Sequence, residues 1–202
     1  YVFDSVTLTI QPGVRIQSIF FGFDIRGSLI ACGTSQDKII FTSGQSSPSP
    51  GDWMGIGFGS IFDSCATDSS LLTNCIIEYA NFGIGGSPFL KAESTAIQYC
   101  QTGIELYAGI IYPTRLIVSN SEIASNSQFG IWVSIPDTLP LQIVDNIIRD
   151  NPEGIRLEQE YLPYMPQIEV EGNIFENNTT AVAIWGDYLP DFSQPNQFIG
   201  NS

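Results

Sequence analysis

The feature that most constrains this sequence is a short motif that recurs along it. An apolar residue stands six places before a Gly or Ala, and a β-branched apolar residue follows directly. The copies run from Ile77 to Gly83-Ile84, from Ile97 to Gly103-Ile104, from Ala124 to Gly130-Ile131, from Ile148 to Gly154-Ile155 and from Phe175 to Ala181-Val182. The small residues, which we call anchors, stand at 83, 103, 130, 154 and 181, so their intervals are 20, 27, 24 and 27 residues. A period in this range is typical of a solenoid protein.

The residues around each anchor alternate in the way a strand with one buried face does. The first and third residues after the anchor are apolar in nearly every copy, whereas the residue between them varies between Gly85, Glu105, Trp132, Arg156 and Ala183. No segment has a convincing helical period. We therefore predict an all-β fold, a single-stranded right-handed parallel β-helix of roughly seven to eight turns, about 35 Å long.

Parallel stacking places equivalent residues of successive turns above one another. One interior column is predicted to contain Ile84, Ile104, Ile131, Ile155 and Val182. A second is predicted to contain Ile77, Ile97, Ala124, Ile148 and Phe175.

Asparagines stand three or four places before several anchors, where the chain must turn; they are Asn126, Asn151, Asn177 and Asn178. Asn tolerates the left-handed backbone region, and stacked Asn side chains can share amide hydrogen bonds along the axis. The anchor Gly is then a backbone requirement.

The length of 202 residues fits one domain, residues 1–202. Residues 1–26 are predicted to form an N-terminal cap or first turn, and residues 27–202 the repeat turns with loop insertions. Gly27, Gly55 and Gly83, each 28 residues apart, extend the pattern into the first half. The C-terminal end looks uncapped, and a start at Tyr1 without Met suggests a processed or excised chain.

The composition disfavours several classes of partner. Seven Lys and Arg face 21 Asp and Glu, which gives a formal charge of −14. Such an acidic surface repels phosphate backbones and anionic lipids, and no apolar run is long enough to span a membrane. We predict no nucleic-acid partner and no membrane insertion.

Four cysteines, Cys32, Cys65, Cys75 and Cys100, contain no C-x-x-C pair, and the chain has no His. No metal site is predicted from them. Cys65 and Cys75 bracket a polar loop and are the best candidates for a disulfide; the alternative is that the cysteines are small buried hydrophobic residues.

The first half also resembles a known family. The resemblance is carried by Val6–Val14, Gly27–Thr34, Ile39–Ser43, Pro50–Phe58 and Ile77–Ala80, and it covers residues 6–84. These segments resemble the secreted right-handed parallel β-helix repeat proteins of bacteria and archaea, which share the pectate-lyase-like fold. The resemblance implies an extracellular or cell-surface location, and its members include adhesins, wall-associated modules and polysaccharide-active proteins.

The fold also occurs in pectate lyases and polygalacturonases, so an enzyme has to be considered. If the resemblance extended to a lyase, it would imply a calcium-binding acidic cluster with a basic residue. If it extended to a galacturonase, it would imply several Asp with a His. This chain has no His and no Asn-Thr-Asp or Asp-Asp constellation, and its cations are only Arg15, Arg26, Lys38, Lys91, Arg115, Arg149 and Arg156. We predict no catalytic residues and no cofactor.

Acidic residues on the C-terminal turns offer a weak alternative. Glu158 and Glu160 are two residues apart and could form paired carboxylates or a calcium site. A solvated acidic loop is the simpler interpretation, as it is for Asp187 and Asp191, because neither pair has a metal-loop spacing.

Aromatic residues cluster in two insertions on the C-terminal turns: Tyr161, Tyr164, Trp185, Tyr188 and Phe192. Insertions in successive turns fall on one face, so these rings are predicted to form a patch that stacks on sugars or on a partner protein. The alternative is that they fold back and cover the solenoid.

A second apolar column stands seven places before the anchors: Ile76, Ala96, Ile123, Ile147 and Ile174. Alternation predicts that it points outward, as an outer apolar strip for self-association or partner docking. The alternatives are that a loop near residues 87–90 or 112–113 covers it, or that these residues turn inward.

For function, we predict a secreted, non-enzymatic surface or adhesion module that displays binding loops on a rigid β-helix, with a glycan or protein ligand at the cell surface. The alternatives are a carbohydrate-binding or polysaccharide-active protein, and a self-associating subunit of an extracellular filament.

Overall fold

The computed structural model describes residues 1–59, 69–86, 89–107, 115–134, 140–158, 168–186, 190–192 and 194–202. Within these ranges the chain forms 22 strands and no helix. The strands form three parallel sheets, and each sheet takes every third strand in chain order until the last. This is the arrangement of a parallel β-helix, in which each coil contributes one strand to each sheet.

The first sheet consists of β1 (Thr7–Ile10), β4 (Ser28–Cys32), β7 (Ser70–Thr73), β10 (Phe89–Glu93), β13 (Arg115–Ser119), β16 (Leu141–Val144) and β19 (Ile168–Glu171). The second consists of β2 (Arg15–Ser18), β5 (Ile39–Ser43), β8 (Cys75–Glu78), β11 (Ala96–Gln98), β14 (Glu122–Ala124), β17 (Ile147–Arg149), β20 (Ile174–Glu176) and β22 (Gln197–Ile199). The third consists of β3 (Phe23–Ile25), β6 (Trp53–Phe58), β9 (Ala80–Gly86), β12 (Thr102–Tyr107), β15 (Phe129–Ser134), β18 (Glu153–Glu158) and β21 (Thr180–Trp185). Two sheets of 7 strands and one of 8 make seven coils and the start of an eighth, which confirms the predicted fold and number of turns.

Residues 1–26 form a coil like the others. Strands β1, β2 and β3 pair in parallel with β4, β5 and β6 of the next coil. Residues 1–26 thus contribute the first strand of each of the three sheets.

The third sheet contains the predicted interior column. Ile104 pairs in register with Ile84 on one side and Ile131 on the other, and Ile131 pairs with Ile155. These four side chains are completely buried, and Val182 at the C-terminal end of the column is half-buried. The alternation after each anchor therefore places its apolar residues inside, as predicted.

The second predicted column is wrong in one coil. Ile97 pairs with Ile123, which pairs in turn with Ile148, and Ile123 is completely buried. Ala124 instead pairs with Gln98 in a column whose side chains alternate away from the interior. Ile123 is therefore a core residue and does not belong to the outer apolar strip.

One additional residue in the following corner causes this shift. Gly154 follows Asn151 after three positions, whereas Gly130 follows Asn126 after four. Counting back from the anchor therefore misses the register of this coil by one residue. A shift by one residue exchanges the two faces of a strand.

The outer apolar strip is correspondingly interrupted. In register, the column reads Ile40, Ile76, Ala96, Glu122, Ile147 and Ile174. Glu122 accepts a 2.8 Å hydrogen bond from Nε of Arg149, so a charged pair divides the strip. Of the loops considered as covers, Phe89 and Leu90 belong to β10 of the first sheet, while residues 87–88 and 112–113 lie outside the described ranges.

The anchor glycines permit close approach between coils. A Cβ at Gly103 would lie 2.5 Å from the carbonyl oxygen of Gly130 and 2.9 Å from Cγ2 of Ile123. In the first coil this position belongs to Gly22, where a Cβ would lie 2.5 Å from the carbonyl oxygen of Gly55. The prediction that Gly27 is the equivalent anchor is wrong, because Gly27 directly precedes β4 of the first sheet.

From the third coil onward, two corners of each coil begin with a recurring pair of residues. The first corner residue has positive φ, and the second is buried in most coils. The positive-φ residues are Asn74, Ser94, Asn120, Asp145 and Gly172 between the first and second sheets, and Tyr79, Tyr99, Ser125, Asp150, Asn177 and Gly200 between the second and third. The left-handed conformation predicted for the asparagines thus holds for Asn177 and not for Asn126, Asn151 or Asn178.

The buried corner residues form two ladders of hydrogen bonds, as the sequence predicted for Asn126, Asn151 and Asn178. The backbone N–H and the Nδ2 of Asn151 both donate to Oδ1 of Asn178, each at 3.1 Å. Equivalent rungs join Asn126, Asn151, Asn178 and Asn201 at one corner and Asn146, Asn173 and Asn196 at the other. The ladders satisfy backbone groups that the corners leave unpaired inside the solenoid.

Cys75 and Cys100 are free thiols in the core, while Cys65 lies outside the described residues. The Sγ of Cys75 donates to the carbonyl oxygen of Ala31 at 3.3 Å. Burial raises the pKa of both the Cys75 and the Cys100 thiol to about 12. The structure therefore does not support the predicted disulfide of Cys75 with Cys65, and it favours the alternative of small buried side chains.

Candidate functional site

The outer face of the third sheet brings charged and aromatic side chains together. Register pairs Glu105 with Trp132, Trp132 with Arg156 and Arg156 with Ala183. Each of these residues follows an inward-pointing Ile or Val, so the column faces outward. Neighbouring strands of a sheet lie about 4.8 Å apart, which places these side chains within reach of one another.

Arg156 is held by glutamates of its own strand. Its Nε donates to Oε2 of Glu153 at 2.7 Å and its Nη2 to Oε1 of the same carboxylate at 2.5 Å. Its Nη1 reaches Oε1 of Glu158 at 3.4 Å. The hydrogen bonds to Glu153 raise the pKa of the guanidinium, and bidentate geometry fixes its plane.

Aromatic rings lie on both sides of this guanidinium. Its Cζ is 4.6 Å from the centroid of the Phe129 ring and 5.7 Å from that of Trp185. The rings of Phe129 and Trp132 are 5.6 Å apart between centroids. Trp185 is 60% exposed, so most of its surface remains available for contact.

Glu105 is the unusual member of this face, since its side chain points outward yet is only 8% exposed. Burial raises the pKa of its carboxyl group. No hydrogen bond or ion pair joins it to the described residues. A buried carboxylate without a partner is costly, so this position calls for a functional explanation.

The residues predicted for binding are only partly brought together. Register pairs Glu158 with Trp185, both beside Arg156. Phe192 lies elsewhere, because its neighbour Asp191 bridges Glu169 of the first sheet. The other residues predicted for binding lie outside the described ranges: Glu160, Tyr161, Tyr164 and Tyr188.

Several residues of this face were not predicted as site residues: Glu105, Phe129, Trp132, Glu153 and Arg156. For Glu105, Trp132 and Arg156 the signal in the sequence was the variable position two places after each anchor, whereas Phe129 and Glu153 stand directly before an anchor. Variation at a strand position indicates that its side chain points outward. It does not show which side chains of successive coils lie beside one another.

The described residues contain no group of three or more acidic or Cys side chains arranged to hold a metal ion. They also contain no helix with the length and apolarity needed to cross a membrane.

Comparison with known proteins identifies a family. The sequence model of a protein family described as right handed beta helix region matches residues 57–194, more than half of the chain. No curated protein matches the chain, and neither does a solved structure.

Proposed function

Because this chain belongs to the right-handed β-helix family, we propose that it is a non-enzymatic module of an extracellular or cell-surface protein that binds a glycan. The binding site is the outer face of the third sheet. The observation that carries this proposal is the cluster of Phe129, Trp132 and Trp185 around one oriented guanidinium, that of Arg156.

Flat aromatic rings beside fixed polar groups suit a sugar. The ring of Trp185 offers an apolar surface on which the C–H face of a pyranose can stack. Glu153 and Glu158 accept hydrogen bonds from hydroxyl groups, and Arg156 has more N–H donors than it uses on these two carboxylates. Rigid parallel strands keep these groups at fixed spacing, which lowers the entropic cost of binding an extended chain.

Charge selects among glycans. Among the described residues of this face, three glutamates outnumber one arginine, and the whole chain carries a formal charge of −14. A polyuronide or sulfated glycan would approach a surface of its own sign. The ligand is therefore a neutral or cationic glycan.

The proposal of a non-enzymatic role rests on how the charged groups are engaged. A lyase mechanism needs a basic side chain free to remove a proton, whereas Arg156 is bound to Glu153 and Glu158. The extracellular location is supported by the resemblance of residues 6–84 to secreted β-helix repeat proteins.

The test measures binding of the purified chain to an array of neutral, cationic and anionic oligosaccharides. Trp185→Ala should weaken binding about tenfold, because an aromatic contact of this kind contributes about 0.5–1.5 kcal/mol. Phe3→Ala is the matched control, since Phe3 is 66% exposed and lies before β1 of the first sheet, outside the third-sheet face. Absence of any glycan binding, or equal effects of the two substitutions, would overturn the proposal.

A further inference from the structure

On one side of Glu105, the outward column of the third sheet consists of glycines. The positions that precede Glu105 in register are Gly85 and Gly57, which carry no side chain. The ring of Phe82 takes the place of a side chain at Gly85, because a Cβ there would lie 2.5 Å from Cδ2 and 2.7 Å from Cε2 of Phe82. One coil from Glu105, an aromatic ring therefore lies across the sheet.

Trp132 lies one coil away on the other side of Glu105. The carboxylate is thus flanked along the sheet axis by Phe82 and Trp132. No cation occupies the described outward positions of β9, β12 or β15, and the nearest in this column, Arg156, is two coils away and bound to Glu153. Along this column the described rings nearest to Glu105 in register are therefore those of Phe82 and Trp132, and burial raises the pKa of its carboxyl group.

A carboxylate between aromatic rings favours a compact organic cation. The ion pairs with the carboxylate, while the faces of the rings attract it through their quadrupoles. A calcium ion requires six to eight oxygen ligands, and among the described residues Glu105 is the only carboxylate at this place.

We propose that Glu105, Phe82 and Trp132 form a subsite for the charged amino group of an amino sugar. This inference rests on the proposed function, since it assigns one sugar unit of the glycan bound along the third sheet. The ammonium group pairs with Glu105, and the sugar ring continues over Trp132 toward Phe129 and Trp185.

The experiment compares a glucosamine oligosaccharide with the N-acetylglucosamine oligosaccharide of equal length, at a pH where the free amine is charged. The wild-type chain should bind the free amine at least about tenfold more tightly. Glu105→Gln, which keeps the shape of the side chain, should abolish this preference. Glu176→Gln, which removes the same charge from the second sheet, should retain it; thermal unfolding of both variants confirms that they are folded.

The possible results show whether the amino-sugar subsite alone fails or the proposed glycan binding fails with it. Equal binding of the two oligosaccharides, or a preference that persists in Glu105→Gln, overturns the amino-sugar subsite, while a loss of binding in Trp185→Ala would still support glycan binding. A lysine oligopeptide that binds as tightly as the glucosamine oligosaccharide also overturns it, since the sugar would then contribute nothing. If neither oligosaccharide nor any other glycan binds, both proposals fail.

Discussion

Glu105 combines an outward strand position with burial, and Trp132 is its register neighbour in the next coil. Removing a charged carboxylate from water without giving it a partner costs free energy, and this is why burial raises its pKa. An amide of the same shape avoids that cost. If Glu105 is retained for binding, it should lower the stability of the unliganded protein.

This gives a prediction for the pH dependence of stability. Since the pKa of Glu105 is higher in the folded chain than in the unfolded one, wild-type stability should fall relative to Glu105→Gln as pH rises from about 4 to about 7. Chemical denaturation of both proteins across this range measures the difference. A difference that is constant with pH would contradict the burial of a charged carboxylate.

Ile123 and Ile147 provide a second prediction at this scale, because the sequence motif assigns both to the outer strip and the structure separates them. Ile123 is completely buried, whereas Ile147 is 40% exposed. Ile123→Ala should cost about 2–5 kcal/mol of unfolding free energy, and Ile147→Ala at most about 1 kcal/mol. Equilibrium unfolding in denaturant compares them; equal costs would argue against the register of β14.

At the level of elements, the strands of the third sheet depend on small residues at the anchor positions. The carbonyl oxygen of each following anchor approaches too closely to admit a Cβ without movement of the backbone, as at Gly103. Steric exclusion at this contact explains why Gly recurs at the anchor position, and the glycine needs no functional role.

Gly103→Ala should therefore destabilise the chain by about 1–3 kcal/mol through overpacking. Gly57→Ala is the matched control in the same sheet, because a Cβ there would be 3.5 Å from its nearest neighbour, the carbonyl oxygen of Phe23. That substitution should be neutral or stabilise the chain by up to about 1 kcal/mol. Thermal unfolding of the two variants tests the difference, and a tolerated Ala at position 103 would refute the close-approach explanation.

At the level of the whole molecule, a continuous core and two Asn ladders run along the solenoid and join successive coils. Its formal charge of −14 should repel polyanions. Its charge therefore favours ligands that are not polyanionic.

The chain should accordingly release no unsaturated products from polygalacturonate, with or without added calcium. Its formal charge of −14 opposes binding of the polymer, and the chain contains no His. Ultraviolet absorbance of the reaction mixture detects such products. Calcium-dependent product release that disappears in Glu158→Gln would show instead that the protein is a lyase.

The repeat by itself determined the class of fold, the approximate number of turns and most of the core. These follow from local chemistry: alternation of apolar residues defines a buried strand face, and recurrence of the same pattern requires equivalent stacking. The ladder at Asn126, Asn151 and Asn178 was predictable for the same reason, since identical residues in register pair with one another.

Only the tertiary structure decided the register at Ile123 and the composition of the third-sheet face. One additional residue before Gly130 moved Ile123 inside and placed Glu122 in the outer column, and a motif counted back from the anchor cannot detect where such an insertion falls. The contacts among Glu105, Trp132 and Arg156 join residues 24 to 27 positions apart, and parallel pairing brings them together only once the register of every intervening corner is set. The position of the Phe82 ring over Gly85, the register neighbour of Glu105, is likewise a property of packing that the repeat does not show.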